Sequence, residues 1–228
     1  MRAEVQAVAE RYARRNVGDL YSMLRPDVWM SLQERQREIL RLLSRYGPGT
    51  LRDLRLFEVG CGTGGNLLDF LRMGFDARNL VGNELLPDRM DQARRTLPKD
   101  IALFEGDATE LQFNADSYDV ICAFVVFSSL LDDAFQERLA AKLWEWLRPG
   151  GAILWYDFIY DNPSNSDVRG VPVKRIHQLF PRARTTVTRV TLAPPIARRV
   201  CRVHPALYTV FAALPPLRTH VLCWISKQ

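Results

Sequence analysis

Leu56-Phe57-Glu58-Val59-Gly60-Cys61-Gly62-Thr63-Gly64-Gly65-Asn66 decides how this chain is read. An apolar run passes into a glycine-rich turn, and residues 64–73 beyond it have the pattern of a helix that stops at Gly74. A strand feeding such a turn makes a ligand cradle for two reasons. Glycine lets the backbone approach a bound group closely, and the first turn of a helix offers N–H groups with no partner inside the helix. Gly60, Gly62 and Gly65 also fit the G-x-G-x-x-G spacing of dinucleotide sites. Taken alone, the turn does not choose between cofactors.

Working outward, apolar strands alternate with amphipathic helices. Strands are predicted at 54–59, 80–83, 101–105, 118–126 and 152–157. Between them, 87–97 is a helix with Pro87 in its first turn. Residues 132–147 form another, carrying Leu139, Leu143, Trp144 and Leu147, and Arg148-Pro149-Gly150-Gly151 breaks it. Upstream, helices are predicted at 5–15 and from Pro26 to Tyr46, where Trp29, Leu32, Ile39, Leu40 and Leu43 recur at three- and four-residue spacing. Downstream come a short helix at 173–180 and two strands at 185–192 and 219–226, read as an antiparallel pair at the sheet edge. The pattern predicts an α/β fold with helices on both faces of a seven-stranded, mostly parallel sheet. One domain is expected over 1–228: a helical extension at 1–46, a cofactor core at 50–157, and a substrate-side region at 158–228 with a helical insert at 193–216.

Two further acids narrow the choice of cofactor. Glu84 follows the second strand, where an acidic residue binds ribose hydroxyls, and a carboxylate can accept from both. Gly106-Asp107-Ala108 follows the third strand, where a carboxylate can accept from an adenine amino group. The series Phe57-Glu58-Val59-Gly60-Cys61-Gly62-Thr63-Gly64, Glu84, Glu105-Gly106-Asp107-Ala108, Tyr118-Asp119-Val120 and Leu147-Arg148-Pro149-Gly150-Gly151 resembles, in order and spacing, a class I S-adenosylmethionine-dependent methyltransferase. The resemblance runs from about residue 50 to residue 157. It implies a Rossmann-like sheet with one antiparallel strand, and methyl transfer from S-adenosyl-L-methionine that leaves S-adenosyl-L-homocysteine.

The resemblance also implies roles. Glu58, the backbone of Gly60, Cys61, Gly62 and Gly64, and Asn66 would face the methionine part of the cofactor. Glu84 would hold the ribose, and Asp107 with the Ala108 amide would read the adenine, with Leu85 and Leu86 against its face. Ala123 and Phe124 would approach the methionine amino group and the methyl. A nicotinamide enzyme has no need for the acid before the first glycine or for Gly-Asp-Ala after the third strand. The chain departs from many members after the fourth strand. Phe124-Val125-Val126-Phe127-Ser128-Ser129 stands where they carry His-His or Asn-Pro-Pro-Tyr. The latter box serves exocyclic amines of nucleic-acid bases, so a nucleic-acid acceptor is disfavoured.

Methyl transfer from a sulfonium is an in-line displacement, in which alignment supplies much of the rate. An alcohol nucleophile also needs its proton removed. Asp157 is the preferred base, because it ends the fifth strand and ligands bind beyond the carboxyl ends of parallel strands. The aromatic and acidic segment 155–163 around it reads as substrate-facing. His177 is the second candidate, and His204 and His220 read as structural. The first helices, with Tyr12, Tyr21 and Trp29, either close over the site as a lid or pack on the sheet.

Composition excludes several classes. The 228 residues are 47% apolar, which excludes disorder, and no apolar run is long enough to span a bilayer. The first fifteen residues hold no apolar h-region, so a cytoplasmic location is expected. Cys61, Cys122, Cys201 and Cys223 stand far apart, which argues for reduced thiols and against zinc. Residues 168–228 contain eleven Lys and Arg and no acid, whereas residues 1–167 hold twenty bases against twenty-six acids. Such asymmetry calls for an anionic partner or for ion pairs across the fold.

In the insert, Arg198, Arg199 and Arg202 stand beside Ile196 and Val200, followed by Leu207, Tyr208, Val210 and Phe211. Such a segment can lie on a membrane surface, contact an anionic lipid-linked substrate, cap the pocket or form a dimer contact. Leu192-Ala193-Pro194-Pro195 before it and Leu217-Arg218-Thr219-His220 after it are similar to the tail of small bacterial methyltransferases of surface-glycan assembly. The expected acceptor is therefore a small molecule or a glycan, methylated at a hydroxyl oxygen. The alternatives are an RNA methyltransferase using the basic tail, a catalytically silent cofactor-binding module, and a nicotinamide-dependent oxidoreductase.

Overall fold

Side-chain alternation along the strands sets the architecture of the protein, for which a computed structural model describes residues 2–15 and 18–228. The strands are β1 (Leu56–Val59), β2 (Leu80–Glu84), β3 (Ala102–Glu105), β4 (Tyr118–Phe124), β5 (Leu147–Phe158), β6 (Arg184–Leu192) and β7 (Arg218–Ser226). On β4, Ile121 and Ala123 face one layer while Val120, Cys122 and Phe124 face the other; Trp155 and Leu154 divide in the same way on β5. Both faces must therefore be covered. Helices α1 (Arg2–Ala13), α5 (Asp133–Trp146) and α6 (Val173–Leu179) cover the first. Helices α2 (Pro26–Tyr46), α3 (Gly65–Met73) and α4 (Pro87–Thr96) cover the second. Residues 1, 16 and 17 of the expected helical extension lie outside the described residues.

The sheet order is β3-β2-β1-β4-β5-β7-β6. All neighbours run parallel except β7, which is antiparallel to both β5 and β6. The chain works outward from β1 to β3 and then returns to β4 on the other side of β1. Helices consequently leave β1 and β4 in opposite directions, and a crevice opens at their carboxyl ends. Between β6 and β7 the chain forms α7 (Pro194–Val203) and α8 (Ala206–Ala212). Their buried residues Ala197, Cys201, Tyr208 and Ala212 cluster with Leu192 and with Met30 of α2. This insert leaves β6 at Leu192, opposite Arg218, on the edge where β5 ends at Phe158 opposite His220. No helix among the described residues is long and apolar enough to cross a membrane.

Two of the boundaries that differ from the expected ones have a cause in tertiary structure. Strand β5 starts at Leu147, because the Arg148-Pro149-Gly150-Gly151 turn is drawn into the sheet as an irregular extension. The Gly150 N–H donates to Lys227 O at 2.8 Å and the Lys227 N–H to Gly151 O at 3.0 Å. The Lys227 ammonium also donates to the Trp144 and Leu147 carbonyls, among the carbonyls left open where α5 ends. Strand β4 ends at Phe124, two residues early, because Val125 takes a φ of +56° and turns the chain out of the ladder.

Phe57 lies at the centre of the α5 layer, fully buried, with the rings of Trp146, Tyr118 and Phe113 at 5.6, 5.4 and 5.4 Å. Phe57→Ala opens a cavity among three rings and is expected to lower unfolding stability by about 3–5 kcal/mol. Urea denaturation of the variant checks this, and an unshifted midpoint refutes it.

Candidate functional site

The crevice between β1 and β4 is built on the glycine turn. Gly60 and Gly64 have φ of +65° and +90°, and a Cβ would come within 2.8 Å of Val126 at the first and 2.7 Å of Leu97 at the second. Both conformation and space therefore demand glycine. The Cys61 N–H donates to Asn83 O at 2.8 Å and pins the turn to β2. Burial pushes the Cys61 thiol well above its usual range, helped by the Glu58 and Glu84 carboxylates, so the residue contributes its backbone and not a nucleophile.

Three acids surround this turn. Glu84 ends β2, and its two oxygens accept from the Gly62 N–H at 2.8 Å and the Leu86 N–H at 2.9 Å. A carboxylate has about four acceptor positions, so two remain for hydroxyl groups. Glu58 on β1 is completely buried. Its Oε1 accepts from the Asn66 amide at 2.6 Å, while its Oε2 has no hydrogen-bond partner among the described residues. Burial raises its pKa to about 8, opposed by the Asn66 hydrogen bond and by the Arg35 charge. Asp107 is half-buried, and its Oδ1 accepts from the Thr109 N–H and hydroxyl, both at 2.8 Å. Ala108 beside it is buried, and Leu85 packs half-buried at the margin of the α5 layer.

The structure thus brings Glu58, Gly60, Cys61, Gly62, Gly64, Asn66 and Glu84 to one rim, with Asp107 and Ala108 after the neighbouring β3. Ala123 and Phe124 end β4, both buried, across from β1. A cationic, adenosine-containing group fits this set: the unpartnered Glu58 oxygen would meet the cation, and Glu84 and Asp107 retain free acceptor capacity.

Helix α2 adds residues that the sequence reading missed. Arg35 donates to Asn66 Oδ1 at 2.7 Å, and its guanidinium lies 5.3 Å and 5.0 Å from the ring centres of Phe124 and Tyr156. Glu34 is buried and accepts from the Tyr208 hydroxyl at 2.6 Å and the Thr191 N–H at 3.1 Å. Tyr156 is the junction. Its carbonyl accepts from the Val125 N–H at 2.7 Å, and its hydroxyl meets Thr191 Oγ1 at 2.9 Å. Val125 and Thr191 are β-branched residues at φ of +56° and +62°, a strained conformation held at both places by bonds to Tyr156. The one sequence signal for this network was a charged pair, Glu34-Arg35, one turn beyond Met30 in a helix that buries its apolar stripe.

The candidate bases are placed differently from expectation. Asp157 is almost fully enclosed, with its oxygens accepting from the Ser128 N–H at 3.0 Å and its own successor's N–H, Phe158, at 2.9 Å. Burial raises its pKa to about 7, against the hydrogen bonds from Ser128. His177 is exposed on α6, whose buried residues Ile176 and Leu179 face the sheet. His220, read as structural, stands at the start of β7 with its ring stacked on Tyr156 at 5.1 Å. Its Nδ1 meets Thr219 Oγ1 at 3.1 Å, and burial with the Arg35 charge lowers its pKa to about 4.

Of the expected lid residues, Tyr12 reaches the crevice: its hydroxyl meets Ser129 Oγ at 3.2 Å, and Arg89 lies 4.5 Å from its ring centre. Arg89 in turn approaches Gly62. Arg11 donates to Ser129 O at 3.0 Å, so α1 spans from the loop after β4 towards the glycine turn. Tyr21 is exposed, and Trp29 half-buried on α2.

A Rossmann-like sheet whose first strand ends in a glycine turn, with acids closing β1 and β2 and following β3, defines a nucleoside-cofactor domain of the class I methyltransferase kind. Comparison with known proteins carries this further. Residues 56–151 match a family model described as a methyltransferase domain. Among solved structures, geranyl diphosphate C-methyltransferase from Streptomyces coelicolor A3(2), crystallised with Mg2+, geranyl diphosphate and S-adenosyl-L-homocysteine, aligns with a TM-score of 0.64 at 13% identity over 97% of this chain and 96% of its own. An S-adenosylmethionine-dependent methyltransferase from Mesorhizobium loti aligns with a TM-score of 0.59 at 17% identity, over 82% of this chain and 96% of its own. One from Archaeoglobus fulgidus gives 0.59 at 13%, over 87% and 98%. No curated protein matches the chain significantly. Residues 56–151 are thus similar to a methyltransferase domain, and the chain shares the fold of S-adenosylmethionine-dependent methyltransferases.

A cation bound at the turn favours ionised Glu58, whereas the free protein holds that group protonated up to about pH 8. Binding therefore releases a proton, and affinity for S-adenosylhomocysteine, which carries the same ammonium group, is expected to rise with pH towards 8 and then level off. Glu58→Gln should weaken binding and flatten that slope. Calorimetric titration across the range checks it; a wild-type affinity independent of pH would count against the assignment.

Proposed function

We propose that this methyltransferase acts on a hydroxyl oxygen of a small-molecule or glycan acceptor, and that it works in the cytoplasm as a single-domain enzyme. The observation that carries the acceptor reading is a groove beyond the end of β5. It has a volume of about 460 Å³ and is lined by Asp161, Asn162, Asn165, Ser166 and Arg169 beside the apolar Leu131, Pro163 and Val168. Carboxylate, amide, hydroxyl and guanidinium groups together suit the mixed donors and acceptors of a polyhydroxylated molecule. The groove borders the loop after β4, because Arg169 N–H donates to Ser128 O at 2.9 Å and Leu131 lines it. The Phe124-Val125-Val126-Phe127 sequence of that loop carries none of the amide or proline groups that would receive a nucleic-acid base.

S-adenosylmethionine, when bound, supplies an electrophilic methyl on a sulfonium. Glu58 and Asn66 would hold its ammonium end, Glu84 would accept from the ribose, Asp107 and the Ala108 N–H would read the adenine, and Leu85 would pack beside it. Ala123 and Phe124 would stand at the methyl end. The acceptor hydroxyl must lose a proton as it attacks. In this reading Asp157 receives it: the residue stands near the end of β5, burial raises its pKa to about 7, and each of its oxygens accepts one N–H and keeps acceptor capacity. The Ser128 N–H ties it to the loop that borders the groove, and His177 is the second candidate.

Two experiments test this. S-adenosylhomocysteine should bind in calorimetry and NADH should not, and Glu84→Ala should weaken the former by about tenfold or more, which is ~1.4 kcal/mol. Binding of NADH alone would overturn the cofactor reading. With labelled methyl groups and a panel of hydroxylated acceptors, Asp157→Asn should lower kcat by about 10²–10⁴-fold with little change in KM and with S-adenosylhomocysteine binding retained. Labelling of amine acceptors or RNA in preference to hydroxyls would overturn the acceptor reading, and a silent Asp157→Asn would remove that residue as the base.

A further inference from the structure

We propose that the outer face of the α7–α8 insert, with the segment 20–24 before α2, docks on the surface of an anionic lipid bilayer. The inference does not depend on which acceptor the enzyme uses.

Exposed apolar side chains concentrate there. Of the twelve large hydrophobic residues exposed among those described, seven are Leu20, Tyr21, Met23, Leu24, Val203, Val210 and Leu214. Leu24 is 93% exposed, Val203 79% and Tyr21 71%, values that leave almost the whole side chain in water. The helical pattern explains which side they occupy. Helix α7 buries Ala197 and Cys201, leaving Arg199, Arg202 and Val203 outside. Helix α8 buries Tyr208 and Ala212, leaving Val210 exposed, and Leu214 just past the helix is exposed too.

The two segments are neighbours. Met30 of α2 packs into the cluster that includes Ala197 and Cys201, and the Asp27 carboxylate is close enough to Cys201 to bear on its thiol. Segment 20–24 enters α2 only two residues before Pro26.

Charge selects the partner. Residues 168–228 carry eleven Lys and Arg and no acid, and three of those arginines lie on α7. The acids near the start of α2, Asp19 and Asp27, already stand 3.7 and 3.5 Å from the Arg25 guanidinium. The face therefore combines exposed apolar groups with positive charge, which is the chemistry of an in-plane contact with acidic headgroups. A polynucleotide would use the arginines but give no reason for exposed Leu24, Val203, Val210 and Leu214. The insert leaves the sheet on the edge where β5 ends, so a docked enzyme would turn its acceptor edge towards the lipid.

Flotation of the full chain with vesicles tests the proposal. Binding to vesicles rich in phosphatidylglycerol should exceed binding to phosphatidylcholine vesicles by about tenfold or more and should weaken as salt is raised. The pair Arg199→Glu with Arg202→Glu, and separately the pair Leu24→Asp with Val210→Asp, should each abolish most of it. Both pairs sit on exposed positions, so unchanged thermal unfolding and unchanged S-adenosylhomocysteine binding serve as controls. Failure of the wild type to float with phosphatidylglycerol overturns the proposal, and so does equal binding to both vesicles. Binding to RNA that is stronger than binding to acidic vesicles, or a wild-type dimer that Leu24→Asp with Val210→Asp dissociates without any lipid binding, reassigns the face and overturns it too.

Discussion

A carboxyl group with no access to water, Glu58 on β1, is the constraint from which the rest of this molecule follows. Burying such a group is costly unless hydrogen bonds and opposite charge offset the loss of solvent. Asn66 on α3 supplies the hydrogen bond and Arg35 on α2 supplies the charge, and Arg35 is itself bonded to Asn66. Docking of α2 on the sheet is thereby tied to the state of the cofactor crevice. The next residue along α2, Glu34, carries the line onward through Tyr208 into the insert and through Thr191 to Tyr156. One polar chain thus runs from the first strand to the last helices on a single face of the sheet.

The core of the fold was legible because its signals are local. Period-two burial on the strands, the proline at the start of α4 and Gly74 after α3 need only neighbours in sequence, and the seven-stranded order β3-β2-β1-β4-β5-β7-β6 agrees with the resemblance. Misjudged boundaries came from long-range effects. Pro149, Gly150 and Gly151 are turn formers by composition, yet Lys227, far away in sequence, gives Gly150 and Gly151 backbone partners and turns them into strand. Val125 has high strand propensity, yet the Tyr156 carbonyl claims its N–H and fixes a left-handed conformation. Propensity cannot anticipate a partner contributed by tertiary structure.

The candidate site divides along the same line. The cofactor rim was readable because it is one turn and the ends of three strands, each marked by its own glycine or acid. The network beside it was not, since Arg35, Tyr156, Thr191 and His220 come from α2, β5, β6 and β7 and meet only in space. His220 reads as an ordinary strand residue, and only its burial and the nearby Arg35 charge hold its ring neutral at this edge. Asp157 stands near its strand end as expected, but sequence gives no sign that the Ser128 and Phe158 N–H groups each bond one of its oxygens.

Strand β7 lies between β5 and β6, although it follows both in the chain. During synthesis, therefore, β5 and β6 emerge as strands with open edges, and nothing upstream can close them. The sheet is finished from within, when a late segment inserts between two earlier ones and forms hydrogen bonds on both its sides. Such non-local pairing is slow, and open edges are where chains associate wrongly. Damage to β7 would not trim a margin of the sheet; it would split β6, and with it the insert, from the cofactor half of the enzyme.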